Sequence, residues 1–166
     1  MSGDSCFVDT NVLLYASDPV QGRKHDVAKS LVEDLWTSQT GVISTQVLQE
    51  FCFNLRRKVR PRLSIVDTTA RVRDYLNWPI VINVAESTIA ALEIEAKYQI
   101  SFWDSLIVHA AQTAGCTILY SEDLNHEQIF DAVRVVNPFV GQQLTTDFPS
   151  EIQFGYAAAS RTMRMR

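Results

Sequence analysis

Short apolar runs alternate with longer stretches of helical period along the 166 residues. Cys6, Phe7 and Val8 form one continuous apolar run, which reads as a short buried strand ended by Asp9. Ala28, Leu31, Val32 and Leu35 recur at helical spacing and predict a helix over 24–37. Gly41, Val42 and Ile43 make a very short second strand. Ser44 and Thr45 suit a helix cap, and Val47, Leu48, Phe51 and Leu55 form the apolar stripe of the helix that follows. That helix is expected to run out in a basic cluster and stop before Pro61. Ser64 suits the cap of a further helix through about residue 76. The β-branched stretch 80–84 after Pro79 predicts a strand. Residues 85–98 are helical, with Ile89, Leu92 and Ala96 on one side. Ser101 caps a helix over 102–114 whose apolar face includes Leu106, Ile107, Ala110 and Ala111, with Gly115 as its C-cap. A strand over 117–120, a polar turn, a short helix near 127–130 and a last strand over 133–136 complete the pattern.

Strands alternating with helices imply an α/β layered fold with a mostly parallel central sheet. In such folds the working groups gather just beyond the carboxyl ends of the strands. Asp9 follows the first strand and Asp123 lies shortly after the strand over 117–120, so both occupy that setting. The chain has the length of one ordinary domain, placed here at 1–140. Periodicity weakens beyond Asn137-Pro138-Phe139, and 141–166 reads as an extension, partly disordered.

A chain this long, 46% hydrophobic and 20% charged, can bury a real core without staples. Any bound metal is therefore expected to serve chemistry rather than folding. The three cysteines, Cys6, Cys52 and Cys116, are odd in number and sit in apolar runs. They fit reduced core residues rather than a disulfide framework. With no CxxC pair and no Cys/His cluster at ligand spacing, a zinc site is excluded. No segment approaches the ~18 consecutive apolar residues of a membrane span. Residues 1–6 lack the basic region and apolar stretch of a signal peptide, so the expected location is the cytoplasm.

The formal net charge of −4 argues mildly against a general nucleic-acid binder, but clustered charge overrides the net value. Arg56, Arg57, Lys58, Arg60 and Arg62 fall together, and Arg161, Arg164 and Arg166 form a second group. Read blandly, such runs are a solvated face or a disordered end.

Four acids stand out, each with an ordinary alternative. Asp9 opens Asp9-Thr10-Asn11 at a strand-to-helix turn, where a plain N-cap is common. Glu50 borders the buried face of its helix, where a carboxylate needs a partner such as Arg or Lys. Asp104 sits in the first turn after Ser101, where it would complement the helix dipole; Phe102 and Trp103 precede it and suggest shielding. Asp123 ends Ser121-Glu122-Asp123, which suits an ordinary turn, and Glu122 is an alternative ligand at the same bend. Brought together, the four would repel one another enough to raise their pKa values or to demand a cation. Oxygen ligands of this kind suit Mg²⁺ or Mn²⁺, ions that activate water for attack on phosphorus.

The strand-Asp9-Thr10-Asn11 opening, Glu50 within Val47-Leu48-Gln49-Glu50-Phe51, the Trp103-Asp104-Ser105 helix start and Leu119-Tyr120-Ser121-Glu122-Asp123-Leu124 resemble the acidic motifs of PIN-domain nucleases. Within that family the chain looks most like the VapC toxins of bacterial type II toxin–antitoxin modules, and Val135-Val136-Asn137-Pro138-Phe139 resembles the end of their domain. The resemblance spans about residues 5–139. It implies a Rossmann-like three-layer α/β/α sandwich, a homodimer, and Mg²⁺- or Mn²⁺-dependent endoribonuclease action. It also implies metal ligands at Asp9 and Asp104, completed by Glu50 and Asp123. The family's last motif is a hydroxyl residue, any residue, then an acid, which selects Asp123 over Glu122. Thr10, Asn11 and Ser121 would orient ligands or substrate. A cognate antitoxin carrying a DNA-binding domain is implied as partner.

The expected reaction is attack of a metal-activated water on an RNA phosphate, leaving 5′-phosphate and 3′-hydroxyl ends. Arg56, Arg57, Lys58, Arg60 and Arg62 would hold the flanking backbone. An aspartyl phosphotransferase needs a second Asp two residues after the first, and Asn11 stands there. A receiver domain needs paired N-terminal acids and a Lys after a late strand, which are not found. A non-catalytic PIN-like binding module and an RNA-maturation nuclease are the remaining alternatives. His25, His109 and His126 form no catalytic arrangement with Ser, Cys or Asp, and no Gly-rich phosphate loop occurs.

Overall fold

The computed structural model describes residues 5–141, so all but the first residue of the predicted extension lies outside the described residues. Within them the chain forms a three-layer α/β/α sandwich. Six strands stand in the order β3-β2-β1-β4-β6-β5: β1 (Cys6–Val8), β2 (Gly41–Ser44), β3 (Ile80–Val81), β4 (Ile118–Tyr120), β5 (Ile129–Phe130) and β6 (Val133–Val136). All pairs are parallel except the hairpin of β5 with β6. The helices are α1 (Thr10–Ala16), α2 (Arg23–Ser38), α3 (Thr45–Leu55), α4 (Ile65–Tyr75), α5 (Ala85–Tyr98) and α6 (Phe102–Thr113).

Every residue of β1 and β2 is buried, as continuous apolar runs in a sheet covered on both faces require. Helix α6 lies against β2, β4 and β6, α2 against β2, and α5 backs α6. Hydroxyl caps start three helices: Ser44 Oγ accepts from Val47 N, Ser64 Oγ from Asp67 N and Ser101 Oγ from Asp104 N. At one edge of the core Trp36, Tyr75 and Trp78 pack ring on ring, and Phe51 meets Tyr75 edge-on. Gly41 is required there, since a Cβ at this position would lie 2.5 Å from the Trp78 ring.

Three expectations need correction. The stretch 80–84 pairs only through Ile80 and Val81. Beyond them Asn83 N donates to Thr45 Oγ1, Val84 becomes the N-cap of α5, and Ile82 and Val84 are exposed. Residues 127–130 are not helical: Glu127 and Asp131 have φ of 66° and 53°, and the chain turns into the β5–β6 hairpin. Helix α3 ends at Leu55, so the basic cluster lies on the loop that follows rather than on the helix.

The chain winds from β1 outward to β2 and β3, then returns to place β4 on the other side of β1. This reversal opens a crevice beyond the carboxyl ends of β1 and β4, the usual seat of ligands in open α/β sheets.

Candidate metal centre

The register of β1 on β4 pairs Val8 with Tyr120, and Asp9 N donates to Tyr120 O at 2.9 Å. The residues that follow, Asp9 on one strand and Ser121 on the other, are therefore neighbours. Ser121 Oγ, fully buried, donates to Asp9 Oδ2 at 2.7 Å and accepts from Asp123 N at 3.1 Å. One hydroxyl thus orients both a strand-end carboxylate and the turn that carries the second acid. Asp9 Oδ1 accepts from Thr10 N at 2.6 Å as the N-cap of α1. The amide of Asn11 completes the bridge: its Nδ2 donates to Asp9 Oδ2 at 3.2 Å and to Asp123 Oδ2 at 3.0 Å.

Glu50 joins from α3. Thr10 Oγ1 donates to Glu50 Oε2 at 2.7 Å, and Gln46 Nε2 donates to Glu50 Oε1 at 3.0 Å. No Arg or Lys partners this carboxylate among the described residues; the ordinary reading of Glu50 as one half of an ion pair does not hold. Asp104 stands at the margin. Its Oδ2 accepts from Ser101 Oγ at 2.6 Å, and its link to the other acids runs through Gln46 Nε2, which reaches Trp103 O at 3.4 Å. The same Ser–Asp pairing recurs at Ser64 and Asp67 on α4, far along the chain from the acids. Local geometry therefore gives Asp104 the ordinary role of an acid in the first turn of α6, held by the Ser101 cap; its one tie toward the other acids is the contact of Gln46 with the carbonyl of the preceding Trp103. Trp103 is exposed, while Asp104 itself is half-buried. Among the described residues no three Asp, Glu, His or Cys side chains already stand at metal-ligand spacing.

Electrostatics single out Asp9, which is 5% exposed. Burial pushes its carboxyl up to about 7; the hydrogen bonds from Ser121 and Thr10 pull it down, and the charges of Asp123 and Glu50 push it up again. The hydrogen bonds that Asp9 accepts come from neutral donors, Thr10 N, Ser121 Oγ and Asn11 Nδ2. Asn11 Oδ1, buried beside Asp9 and Asp123, has no hydrogen-bond partner. A hard divalent cation matches this all-oxygen set of two carboxylates and an unpartnered amide oxygen.

Glu122 has a different role from its neighbour. It pairs with Lys24, whose ammonium also lies 4.7 Å from the ring centroid of Tyr15. Burial raises the Glu122 carboxyl, but hydrogen bonds from Lys24 and Tyr15 outweigh this and leave it below its ordinary value. The bend is thus divided: Glu122 anchors it to α2, and Asp123 faces Asn11.

The basic loop is exposed, and among the described residues none of its cations forms an ion pair. Lys58 lines a groove of about 360 Å³ together with Asn11, Asp18 and Asp123, which sets a cation beside the acids. Arg56, Arg57 and Arg62 line a neighbouring groove with Phe53. Asp18, buried, ties the loop down: its carboxylate accepts from Arg60 N at 3.2 Å and from Gln21 Nε2 at 2.9 Å. Sequence reasoning missed Asp18 and Gln46. The signal for Gln46 was its place four residues before Glu50 on one helix. For Asp18 it was the cap position before Pro19.

The PIN domain family model matches residues 6–131. Comparison with curated proteins gave no match. Among solved structures, the chain is similar to VapC20 of Mycobacterium tuberculosis, a sarcin-ricin loop cleaving toxin, at 23% identity and a TM-score of 0.56, covering 72% of this chain and 90% of that one. It is similar to a toxin–antitoxin complex from Klebsiella pneumoniae at 20% identity and a TM-score of 0.59, covering 81% and 98%. It is also similar to DNA-bound VapBC from Salmonella typhimurium at 14% identity and a TM-score of 0.57, covering 80% and 97%. At these identities the likeness speaks to the fold, which the strand order and the reversal at β1 and β4 already describe. With the family model spanning most of the described residues and the acidic network set at that reversal, the chain belongs to the PIN domain family.

Proposed function

We propose that this chain is a Mg²⁺- or Mn²⁺-dependent endoribonuclease and the toxin of a type II toxin–antitoxin module. The observation that carries the reading is the bridge of Ser121 and Asn11 between Asp9 and Asp123, two carboxylates tied together with no cation among their hydrogen-bond partners in the described residues. Asp9 and Asp104 are the first metal ligands in this reading, and Glu50 and Asp123 complete the set. When bound, the ion supplies an activated water and charge compensation at the scissile phosphate.

The protein's own share is orientation and placement. Ser121, Thr10 and Asn11 hold Asp9 and Asp123 in fixed rotamers. Thr10 and Gln46 do the same for Glu50. Lys58 beside Asp123, and Arg56, Arg57, Arg60 and Arg62 on the same loop, hold the phosphates that flank the cut. These contacts position the strand and carry no sequence information. In-line attack by water leaves a 5′-phosphate and a 3′-hydroxyl.

The solved neighbours from Klebsiella pneumoniae and Salmonella typhimurium are toxin–antitoxin assemblies, the latter bound to DNA. They support a cognate antitoxin as partner, and a homodimer in the cytoplasm is the state we assign. No helix among the described residues is long and apolar enough to cross a membrane.

The test is RNA cleavage by the purified chain with Mn²⁺, Mg²⁺ or EDTA, followed by mapping of the ends. Metal-dependent cuts bearing 5′-phosphates, absent in Asp9→Asn and Asp104→Asn, support the reading. Cleavage in EDTA, or cleavage retained by either folded variant, rejects it. Expression with and without the neighbouring gene then separates a toxin, whose growth arrest the neighbour relieves, from an RNA-maturation enzyme.

A further inference from the structure

Glu50 also borders a groove of about 410 Å³ that is lined by Gln46, Gln49, Phe53, Asn54 and Trp103 as well. This volume falls in the range of about 300–1,000 Å³ typical of small-molecule sites. Two of its walls are aromatic and wet: Phe53 is 55% exposed and Trp103 63%. Phe53 stands on α3 three residues beyond Glu50, and Trp103 stands in the first turn of α6. Each ring has support. Arg57 holds its guanidinium 4.6 Å from the Phe53 centroid, and Phe102 meets Trp103 edge-on at 5.4 Å.

A second observation points to a ligand. Gln46 is 7% exposed, and its Oε1 has no hydrogen-bond partner. The amide cannot be turned to relieve this, because Nε2 stands between two acceptors, Glu50 Oε1 and Trp103 O. A groove-lining residue thus carries a buried amide oxygen without a donor, a costly arrangement unless a small shift of the side chain lets something supply an N–H. Phe53 also borders the adjoining groove of Arg56, Arg57 and Arg62, so cations for phosphate and rings for bases sit side by side.

We infer that Phe53 and Trp103 form a stacking seat for one unpaired RNA base, with Gln46 Oε1 accepting from its N–H edge and the neighbouring arginines holding the adjoining phosphates. The inference rests on the ribonuclease reading and adds to it a subsite that recognises single-stranded RNA. Aromatic faces accept any base, so the seat selects for unstacked nucleotides before it selects for sequence. A base held there would fix the register of the strand across Glu50.

Trp103 supplies the probe, because the other two tryptophans, Trp36 and Trp78, are packed against each other and Tyr75. The experiment titrates the full-length unsubstituted protein, with Ca²⁺ in place of Mg²⁺ to hold the strand without cleavage, with an oligoadenylate of roughly six nucleotides and with its abasic analogue of equal charge. Tryptophan fluorescence and fluorescence anisotropy are read together. The inference expects quenching by the oligoadenylate and none by the abasic analogue. It expects Phe53→Leu and Trp103→Leu each to weaken oligoadenylate binding about 5- to 100-fold, Phe53→Tyr and Trp103→Phe to restore it, and all four to leave abasic binding alone. Equal binding of the two oligomers, or leucine variants that bind like the parent, overturns the inference. That result would leave the groove to a protein partner while the nuclease reading stands on its own cleavage test. Failure of both oligomers to bind overturns this inference; absent RNA cleavage by the unsubstituted chain, it removes the nuclease reading as well.

Discussion

Asp9 carries the largest electrostatic strain in the site, and its consequences can be measured without substrate. Its folded pKa of about 7 stands above the ~3.9 of an unfolded Asp. A carboxyl raised in this way contributes stability in full below the unfolded value and loses it as pH rises to the folded value. The metal-free protein should therefore become less stable from about pH 4 to pH 7, against the usual trend for paired carboxylates. Asp9→Asn removes this slope and should raise Tm at pH 8 by roughly 3–6 °C in calorimetry with EDTA. An unchanged slope in that variant would mean the burial of Asp9 is already compensated. Ser121 is the second decisive residue, since its one hydroxyl serves both Asp9 and Asp123. Ser121→Ala should lower the rate of RNA cleavage about 10- to 100-fold with little change in far-ultraviolet circular dichroism, as losses of ligand-orienting groups commonly do.

The strands and helices place these residues through two devices of different kinds. The first is register: pairing Val8 with Tyr120 brings Asp9 beside Ser121, and a slip of one residue would break the bridge. The second is the tether of the basic loop. Asp18 accepts from Arg60 N and Gln21 Nε2 and so keeps Lys58 next to Asp123. Asp18→Ala should cost about 1–3 kcal/mol in urea unfolding and raise KM for RNA more than it lowers kcat. A fall in kcat alone would show that the loop takes part in chemistry rather than in holding substrate. At the sheet edge, Gly41→Ala should cost about 1–3 kcal/mol, because the new methyl must displace Trp78.

At these two levels the sequence was readable to different depths. Periodicity located β1, β2, β6 and all the long helices, because buried strands and amphipathic helices carry dense apolar signals. It failed at the 80–84 stretch, where edge pairing and the Asn83–Thr45 bond decide the strand length. It failed again at 127–130, where positive φ at Glu127 and Asp131 replaces a helix with a hairpin. In the site, strand-end position pointed to Asp9 and Asp123 from sequence alone. The hydrogen bond of Thr10 to Glu50 crosses 40 residues and those of Ser121 to Asp9 and Asn11 to Asp123 cross 112, and no local pattern encodes them.

Across the molecule the charge is divided. A chain of net charge −4 concentrates acids at the reversal of the sheet and cations on the loop after α3. Binding of RNA should weaken steeply with salt, with a log–log slope approaching about −3 if most of the loop cations touch phosphate. Removing Arg57 should make that slope shallower by about 0.7. Net repulsion between the acids and the phosphates also means that binding without a divalent ion should be much weaker than with it.

Titration of the full chain with Mn²⁺ in a calorimeter at pH 8 probes the acidic pocket most directly. We expect saturable binding by the unsubstituted protein, at least a tenfold loss in Asp9→Asn, and no change in Asp67→Asn, whose carboxylate has the same local geometry as Asp104 but lies on α4. Binding of equal strength by the unsubstituted and Asp9→Asn proteins, or no binding by either, would contradict the assignment of these acids to a metal.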